Sequence, residues 1–205
     1  MSLTRALLLD LDNTLIDRDA ALLRWLHGFS PRSGWDIDEL VALDAGGRGS
    51  RRALFERLGI ALQVSTAQAR AQFERELPQH VRLRSGAIEL LSGFRGPKIV
   101  ITNGSSRVQR AKIATVGLLP FLDAVVVSQE FGNPKPHASI FQHALALAGV
   151  DLCDAATAVM IGDDPVADIA GARSVGITAL LLRTRWFEEP PDTAVLSTLS
   201  EVRLG

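Results

Sequence analysis

Five short runs of the chain are apolar with little alternation: Ala6–Leu11, Lys98–Thr102, Ala124–Ser128, Ala158–Ile161 and Thr178–Leu182. A strand with one wet face alternates apolar and polar positions, whereas a strand covered on both faces does not. These runs therefore predict a parallel sheet buried on both sides. Segments of helical period fall between them. Ser106–Val116 stops at Gly117, Pro136–Ala148 at Gly149, and Ala167–Val175 at Gly176. Proline at a helix start and glycine just past its end are the expected boundary residues. The alternation of strand and helix predicts an α/β core with a doubly wound, Rossmann-like parallel sheet.

One stretch breaks the rhythm. Residues 18–84 hold no strand pattern, only helix-period segments at Ala20–Phe29, Asp36–Asp44, Ser50–Leu58 and Ser65–Leu77. Roughly 65 residues is too long for a connecting loop. The pattern predicts an inserted all-helical subdomain over 18–84, with the α/β core formed by 1–17 and 85–205. Trp25 and Trp35 read as core of that subdomain, and Arg48, Arg51 and Arg52 as a solvated helix face. Near the end of the chain, Phe187–Pro191 reads as a turn and Thr193–Val202 as a last helix.

Composition narrows the function classes. Hydrophobic residues make up 47% of the 205, enough for a packed core, and the net charge of −1 gives no basic surface for nucleic acid. No apolar run reaches the roughly 20 residues needed to span a bilayer. Cys153 is the only cysteine, which fits a reducing, cytoplasmic setting and excludes an intramolecular disulfide. His27, His80, His137 and His143 show no metal-ligand spacing. Nothing in the sequence sets an oligomeric state.

The chemistry lies at the predicted strand ends, where open α/β sheets bind ligands. The first run ends in Asp10-Leu-Asp12-Asn-Thr14, the second in Thr102-Asn103-Gly104. Asn133-Pro-Lys135-Pro136 follows the third, and the fourth ends in Gly162-Asp163-Asp164-Pro-Val-Ala-Asp168. Two carboxylates about 4 Å apart repel by about 4 kcal/mol at an effective dielectric near 20. Clustered carboxylates therefore call for a cation, and an all-oxygen donor set suits Mg²⁺ shared with a phosphate. Asp10 and Asp12, two apart on an extended segment, can face one side. Read singly, each motif has a plainer explanation: a turn, a surface lysine, or an Asp164 helix cap ahead of Pro165.

Taken together and in this order, the four segments resemble the four motifs of the haloacid dehalogenase (HAD) superfamily of phosphohydrolases, and the helical insertion resembles its C1-type cap. The stretches TNGSSRVQRAKI, NPKPHASIF and GDDPVADIAGA are further similar to a subgroup of small-molecule phosphatases that includes nucleoside 5′-monophosphatases and N-acylneuraminate-9-phosphatases. The resemblance implies an Mg²⁺-dependent phosphomonoester hydrolase acting on a small phosphorylated metabolite. It implies Asp10 as nucleophile forming an aspartyl-phosphate, and Asp12 as general acid and base whose backbone carbonyl also touches the metal. Thr102 and the backbone near Asn103 would hold phosphoryl oxygens, with Lys135 neutralising charge and restraining Asp10. Asp163 would complete the metal shell, Asp164 could be a direct or more distant ligand, and Asp168 would stand behind them.

Other readings share parts of this pattern. A sugar-phosphate phosphomutase of the same superfamily would use Asp10 and Asp12 identically. A 2-haloacid dehalogenase lacks the second aspartate, so Asp12 argues against it. A signalling phosphoacceptor module would be about half this length and without the insertion. A silent relative would not need every motif position filled.

Overall fold

The computed structural model describes residues 3–29 and 36–204. Trp35 lies outside them. In chain order the structure runs through strand β1 (Ala6–Leu9), helices α1 (Arg18–His27), α2 (Ile37–Asp44), α3 (Arg51–Leu62), α4 (Thr66–Glu76) and α5 (Ala87–Gly93), and strand β2 (Lys98–Thr102). Then come α6 (Ser106–Thr115), β3 (Ala124–Val127), a single turn α7 (Ser128–Phe131), α8 (Ala138–Leu147), β4 (Ala158–Gly162), the short α9 (Gly171–Arg173), β5 (Thr178–Leu182) and β6 (Ala194–Leu196). The chain divides into two compact units, Met1–Ile16 with Leu83–Gly205, and Asp17–Arg82.

The first unit is built on one six-stranded sheet in the order β3-β2-β1-β4-β5-β6. Every pairing is parallel. The α/β, doubly wound architecture expected from the apolar runs is therefore the observed one. The first strand lies at the centre, with Leu9 level with Val100 on one side and Ile161 on the other. All four β1 residues are fully buried, which accounts for a strand sequence with no polar alternation. Phe141, Ile140, Ala144 and Leu145 of α8 pack with Leu8, Ile101 and Met160 in the core beneath one face. Strand order reverses between β1 and β4, the point at which open α/β sheets place ligands beyond their C-terminal strand ends.

Three expectations change. The first strand ends at Leu9 rather than Leu11, because the backbone turns around the Leu11 carbonyl, which accepts from Leu15 N and Ile16 N at 3.0 Å each. Asn13 sits in the left-handed region there (φ 57), a conformation asparagine tolerates better than most residues. The predicted last helix Thr193–Val202 is instead β6 followed by a 3₁₀ turn at Leu199–Glu201. The exposed edge of β5 supplies backbone partners that override local helix preference: Leu180 pairs with Ala194, Leu181 with Val195 and Leu182 with Leu196. The predicted helix Ala167–Val175 begins earlier, as a π-helical turn Pro165–Ala170 that runs on into α9. Asp164 O accepts from both Asp168 N (3.0 Å) and Ile169 N (3.2 Å), which widens that turn.

The second unit consists of α1 to α4 with short 3₁₀ turns. Trp25, only 2% exposed, is its aromatic centre. It meets Phe29 and Phe73 edge-on at 5.0 and 5.3 Å, and Phe73 meets Phe55 at 5.5 Å. Its indole N–H donates to Glu76 Oε2 at 3.0 Å, so the one polar atom of the ring is satisfied. Arg18 and Asp44 are both 1% exposed. Arg18 Nη1 and Nη2 donate to Asp44 Oδ2 and Oδ1 at 2.5 and 2.8 Å. Arg51 Nη1 and Gly47 N each add a bond at 3.0 Å. Gly47, at φ +92, lies against the Arg18 guanidinium, where a Cβ would stand 3.1 Å from Arg18 Cζ and crowd it.

Burial works against the charged form of Asp44, yet Arg18, then Arg51 and the Gly47 amide, hold its carboxyl below the ordinary 3.8. A depressed acid contributes stability above its unfolded pKa and loses it as pH falls through the folded value. Asp44→Asn should cost about 3–5 kcal/mol, because the Arg18 charge stays buried without its partner. Urea unfolding at neutral pH reads the loss, and the gap between wild type and variant should narrow as the pH is lowered through the Asp44 titration.

Candidate active site

Asp10 follows the last residue of β1, where Asp10 N donates to Ile161 O of β4 at 2.9 Å. This backbone bond continues the β1–β4 pairing one residue beyond the strand and holds Asp10 at its C-terminal end. Its side chain is buried, and Oδ1 lies 2.5 Å from Lys135 Nζ. The same ammonium reaches Asp168 Oδ1 at 2.6 Å. Asp168 Oδ2 in turn accepts from Asp164 N at 3.0 Å, so both Asp168 oxygens are engaged. A side chain at position 162 would overlap the Asp168 carboxylate. Glycine at the end of β4 is what lets Asp168 lie flat against the strand.

Among the described residues, Asp10, Asp163 and Asp168 are grouped with one carboxylate oxygen each within 4.8 Å of one another. All three are buried. Asp164 turns elsewhere: its Oδ1 accepts from Val166 N and Ala167 N at 2.9 and 2.8 Å, capping the π-helical turn. Burial pushes the Asp10 carboxyl up to about 7; Lys135 opposes this, while Asp168 and Asp12 add to it. For Lys135, burial acts against the charge, but the carboxylates of Asp10 and Asp168 outweigh it and hold the ammonium protonated. The ammonium bonds the carboxylates of Asp10 and Asp168, and Asp163 brings a third carboxyl to the same group. An all-oxygen donor set of this kind could hold a hard divalent cation.

Asn103 secures Lys135 from the backbone side. Asn103 Nδ2 donates to Lys135 O, and Lys135 N donates to Asn103 Oδ1, both at 2.9 Å. The side-chain amide thus imitates a strand neighbour and pins the loop after β3 to the end of β2. The Lys135–Pro136 peptide bond is cis. His137 N-caps α8, its Nδ1 accepting from Ser139 N at 3.3 Å.

Asp12 does not share the Asp10 group. Its two carboxylate oxygens take Lys112 Nζ at 2.8 and 2.7 Å, and Oδ2 also takes Gln109 Nε2 at 3.0 Å. Gln109 Nε2 further reaches Thr102 Oγ1 at 2.5 Å. Thr102, Gln109 and Lys112 are all at most 3% exposed. Neither Gln109 nor Lys112 stood out in the sequence. The available signal was scarcity: the chain has three lysines, Lys98, Lys112 and Lys135, and two of them meet the motif aspartates. Gln109 and Lys112, three apart on α6, share one helix face. Arg84 was also missed; its Nη1 donates to Asn13 O at 2.6 Å and holds the turn after Asp12.

A parallel six-stranded sheet with carboxylates, a threonine and a lysine gathered at its C-terminal strand ends defines a Rossmann-like α/β domain with its candidate site at those ends. The chain belongs to the haloacid dehalogenase-like hydrolases, whose family model matches residues 4–176. It is 32% identical over 150 residues to the pyrimidine 5′-nucleotidase YjjG of Escherichia coli, covering 72% of this chain and 66% of that one. It is 30% identical over 201 residues to the phosphoglycolate phosphatase of Caulobacter vibrioides, covering 90% and 81%. It is 35% identical over 103 residues to the N-acylneuraminate-9-phosphatase of Rattus norvegicus, covering 49% and 40%. The matches thus span less than two thirds of the length of two of these three relatives. In fold the chain is similar to the magnesium-bound putative HAD-hydrolase YfnB of Bacillus subtilis, with a TM-score of 0.76, 23% identity and coverage of 98% and 97%. Among the described residues no helix is long and apolar enough to cross a membrane.

With burial pushing the Asp10 carboxyl up to about 7, a proton would compete there with any cation the group takes. Divalent-cation affinity, measured by calorimetry, should weaken about tenfold per pH unit below 7 and level off above it.

Proposed function

We propose that the protein is an Mg²⁺-dependent phosphomonoester hydrolase that turns over a small phosphorylated metabolite through an aspartyl-phosphate on Asp10. The observation that carries this reading is the separation of the two aspartates. Asp10 is paired with Lys135 beside Asp163 and Asp168, whereas Asp12 is held by Lys112 and Gln109 from α6. One carboxylate is thereby available to attack phosphorus and the other to handle a proton. That division supports ester hydrolysis.

Lys135 in this reading has two tasks. It orients the attacking Asp10 oxygen and offsets charge on the phosphoryl group. Thr102 donates to a phosphoryl oxygen from the end of β2, with backbone amides near Asn103, whose side chain keeps the Lys135 loop in place. Asp12 protonates the departing alkoxide, then takes a proton from the water that hydrolyses the acyl-phosphate. Asp10 and Asp163, with the Asp12 backbone carbonyl, would hold the cation, since Asp168 is occupied by Lys135 and Asp164 N. When bound, Mg²⁺ would supply charge neutralisation between the incoming phosphate and the carboxylates. Phosphoryl transfer depends mainly on positioning and electrostatics, and these groups provide both.

The relatives bear on the substrate. They are named for a pyrimidine nucleotide, phosphoglycolate and an N-acylneuraminate phosphate. Their shared feature is a phosphate monoester on a small metabolite, and the same class is proposed here. The helical unit Asp17–Arg82 is proposed to act as the cap that reads the remainder of the substrate. A cytoplasmic location fits such a substrate.

Phosphate release from a panel of nucleoside monophosphates, sugar phosphates and phosphoglycolate tests the reading. Activity should require Mg²⁺, vanish in EDTA and return on adding Mg²⁺. Asp10→Asn should lower kcat by about a thousandfold or more. Return of the phosphoryl group to the substrate, in place of phosphate release, would mark a mutase instead.

A further inference from the structure

We infer that Gln109 and Lys112 are positioning residues that set the hydrogen-bond direction of the site, turning the Thr102 hydroxyl into a donor aimed at a bound phosphoryl group. The inference rests on the reading of Thr102 as a phosphate-binding residue. It adds to that reading a pair of α6 side chains which that role alone does not require.

The direction follows from donor chemistry. An ammonium has only donors. The Gln109 atom 2.8 Å from Lys112 Nζ must therefore be the carbonyl oxygen, Oε1. The amide NH₂ then faces the other way, towards Asp12 Oδ2 at 3.0 Å and Thr102 Oγ1 at 2.5 Å. Since the amide nitrogen can only donate, Thr102 Oγ1 accepts from it. A threonine hydroxyl has a single proton. With Gln109 supplying the proton of their shared bond, the Thr102 proton is left to point at another acceptor.

The surroundings hold this order in place. Gln109 is 2% exposed and Lys112 3% exposed, so water does not compete to flip the amide. Lys112 also grips both Asp12 oxygens, so rotating the Gln109 amide would set its oxygen against a carboxylate and its NH₂ against an ammonium. Both contacts would be repulsive in a low-dielectric site. Gly104, at φ +136, lets the Gln109 side chain lie across the turn; a Cβ there would stand 3.3 Å from Gln109 Cδ. One lysine therefore orders a chain of donors from Lys112 through Gln109 to Thr102.

Gln109→Met keeps the length of the side chain and removes the amide that donates to Thr102, without adding a charge. The test is a double-mutant cycle on inorganic phosphate binding, measured by calorimetry in the presence of Mg²⁺, with the wild type, Gln109→Met, Thr102→Val and the double variant. Thr102→Val should weaken phosphate binding by about tenfold and Gln109→Met by about threefold, and the double variant by no more than Thr102→Val alone. Losses that multiply would overturn the inference, because Gln109 would then act on phosphate independently of Thr102. Wild-type affinity in Gln109→Met would also overturn it, as would a wild type that binds no phosphate. If Gln109→Met does not fold, Gln109→Leu runs through the same cycle, with a loss that must likewise disappear in the Thr102→Val background. Lys112→Arg should retain phosphate affinity while Lys112→Met loses it; equal losses would count against the inference. Phosphate binding with the predicted cycle, but no hydrolysis of any ester, would overturn the phosphatase reading and leave this one standing.

Discussion

Lys135 Nζ lies between the carboxylates of Asp10 and Asp168, and the ends of four strands are arranged around that contact. A buried ion costs several kcal/mol to desolvate unless its geometry is well satisfied. Here Asp10 comes from the end of β1, Asp168 from the turn after β4, and the Lys135 loop from beyond β3. Asn103, at the end of β2, holds that loop through two backbone bonds. Misplacing any one of these ends would leave a buried charge unpaired. The parallel sheet is thus more than a scaffold behind the site. Its registers, which set Leu9 beside Ile161 and Val100, bring the strand ends to one level so that a single ammonium can serve them.

The chain uses buried charge in two ways. In the helical unit, Asp44 is met by Arg18, Arg51 and a backbone amide, and its carboxyl is held below its ordinary value. That is a closed arrangement in which both oxygens of the buried carboxylate are met by cationic and amide donors. Around Asp10 the carboxylates outnumber the ammonium, and burial raises the Asp10 carboxyl to about 7. The same side chain is therefore driven in opposite directions by the number and kind of its neighbours. A satisfied pair serves folding, and an incompletely compensated cluster has capacity to bind something more.

Much of the sheet was legible in the sequence, because buried parallel strands lack alternation, and so was the placing of Asp10, Thr102 and Asp163 at or beside strand ends. Lys98–Thr102 and Thr178–Leu182 coincide with β2 and β5. What escaped depends on contacts remote in sequence. The last strand, β6, exists because β5 offers an open edge, and no local pattern in Thr193–Val202 announces that partner. Lys112 reaches Asp12 across 100 positions, so its role cannot be read from α6 alone. Asp164 and Asp168 show the reverse case. Both were visible as acidic positions, but only packing assigns one to cap a turn and the other to hold Lys135.

Gly162 sits at the foot of this arrangement, with the Asp168 carboxylate laid where any side chain would project. Even a methyl group there would push Asp168 aside, and with it the ammonium that aligns Asp10. A side chain at 162 requires Asp168 to move, so these two positions can change only together. The floor of the site is in that sense a matched pair: one residue is small because the other lies across it.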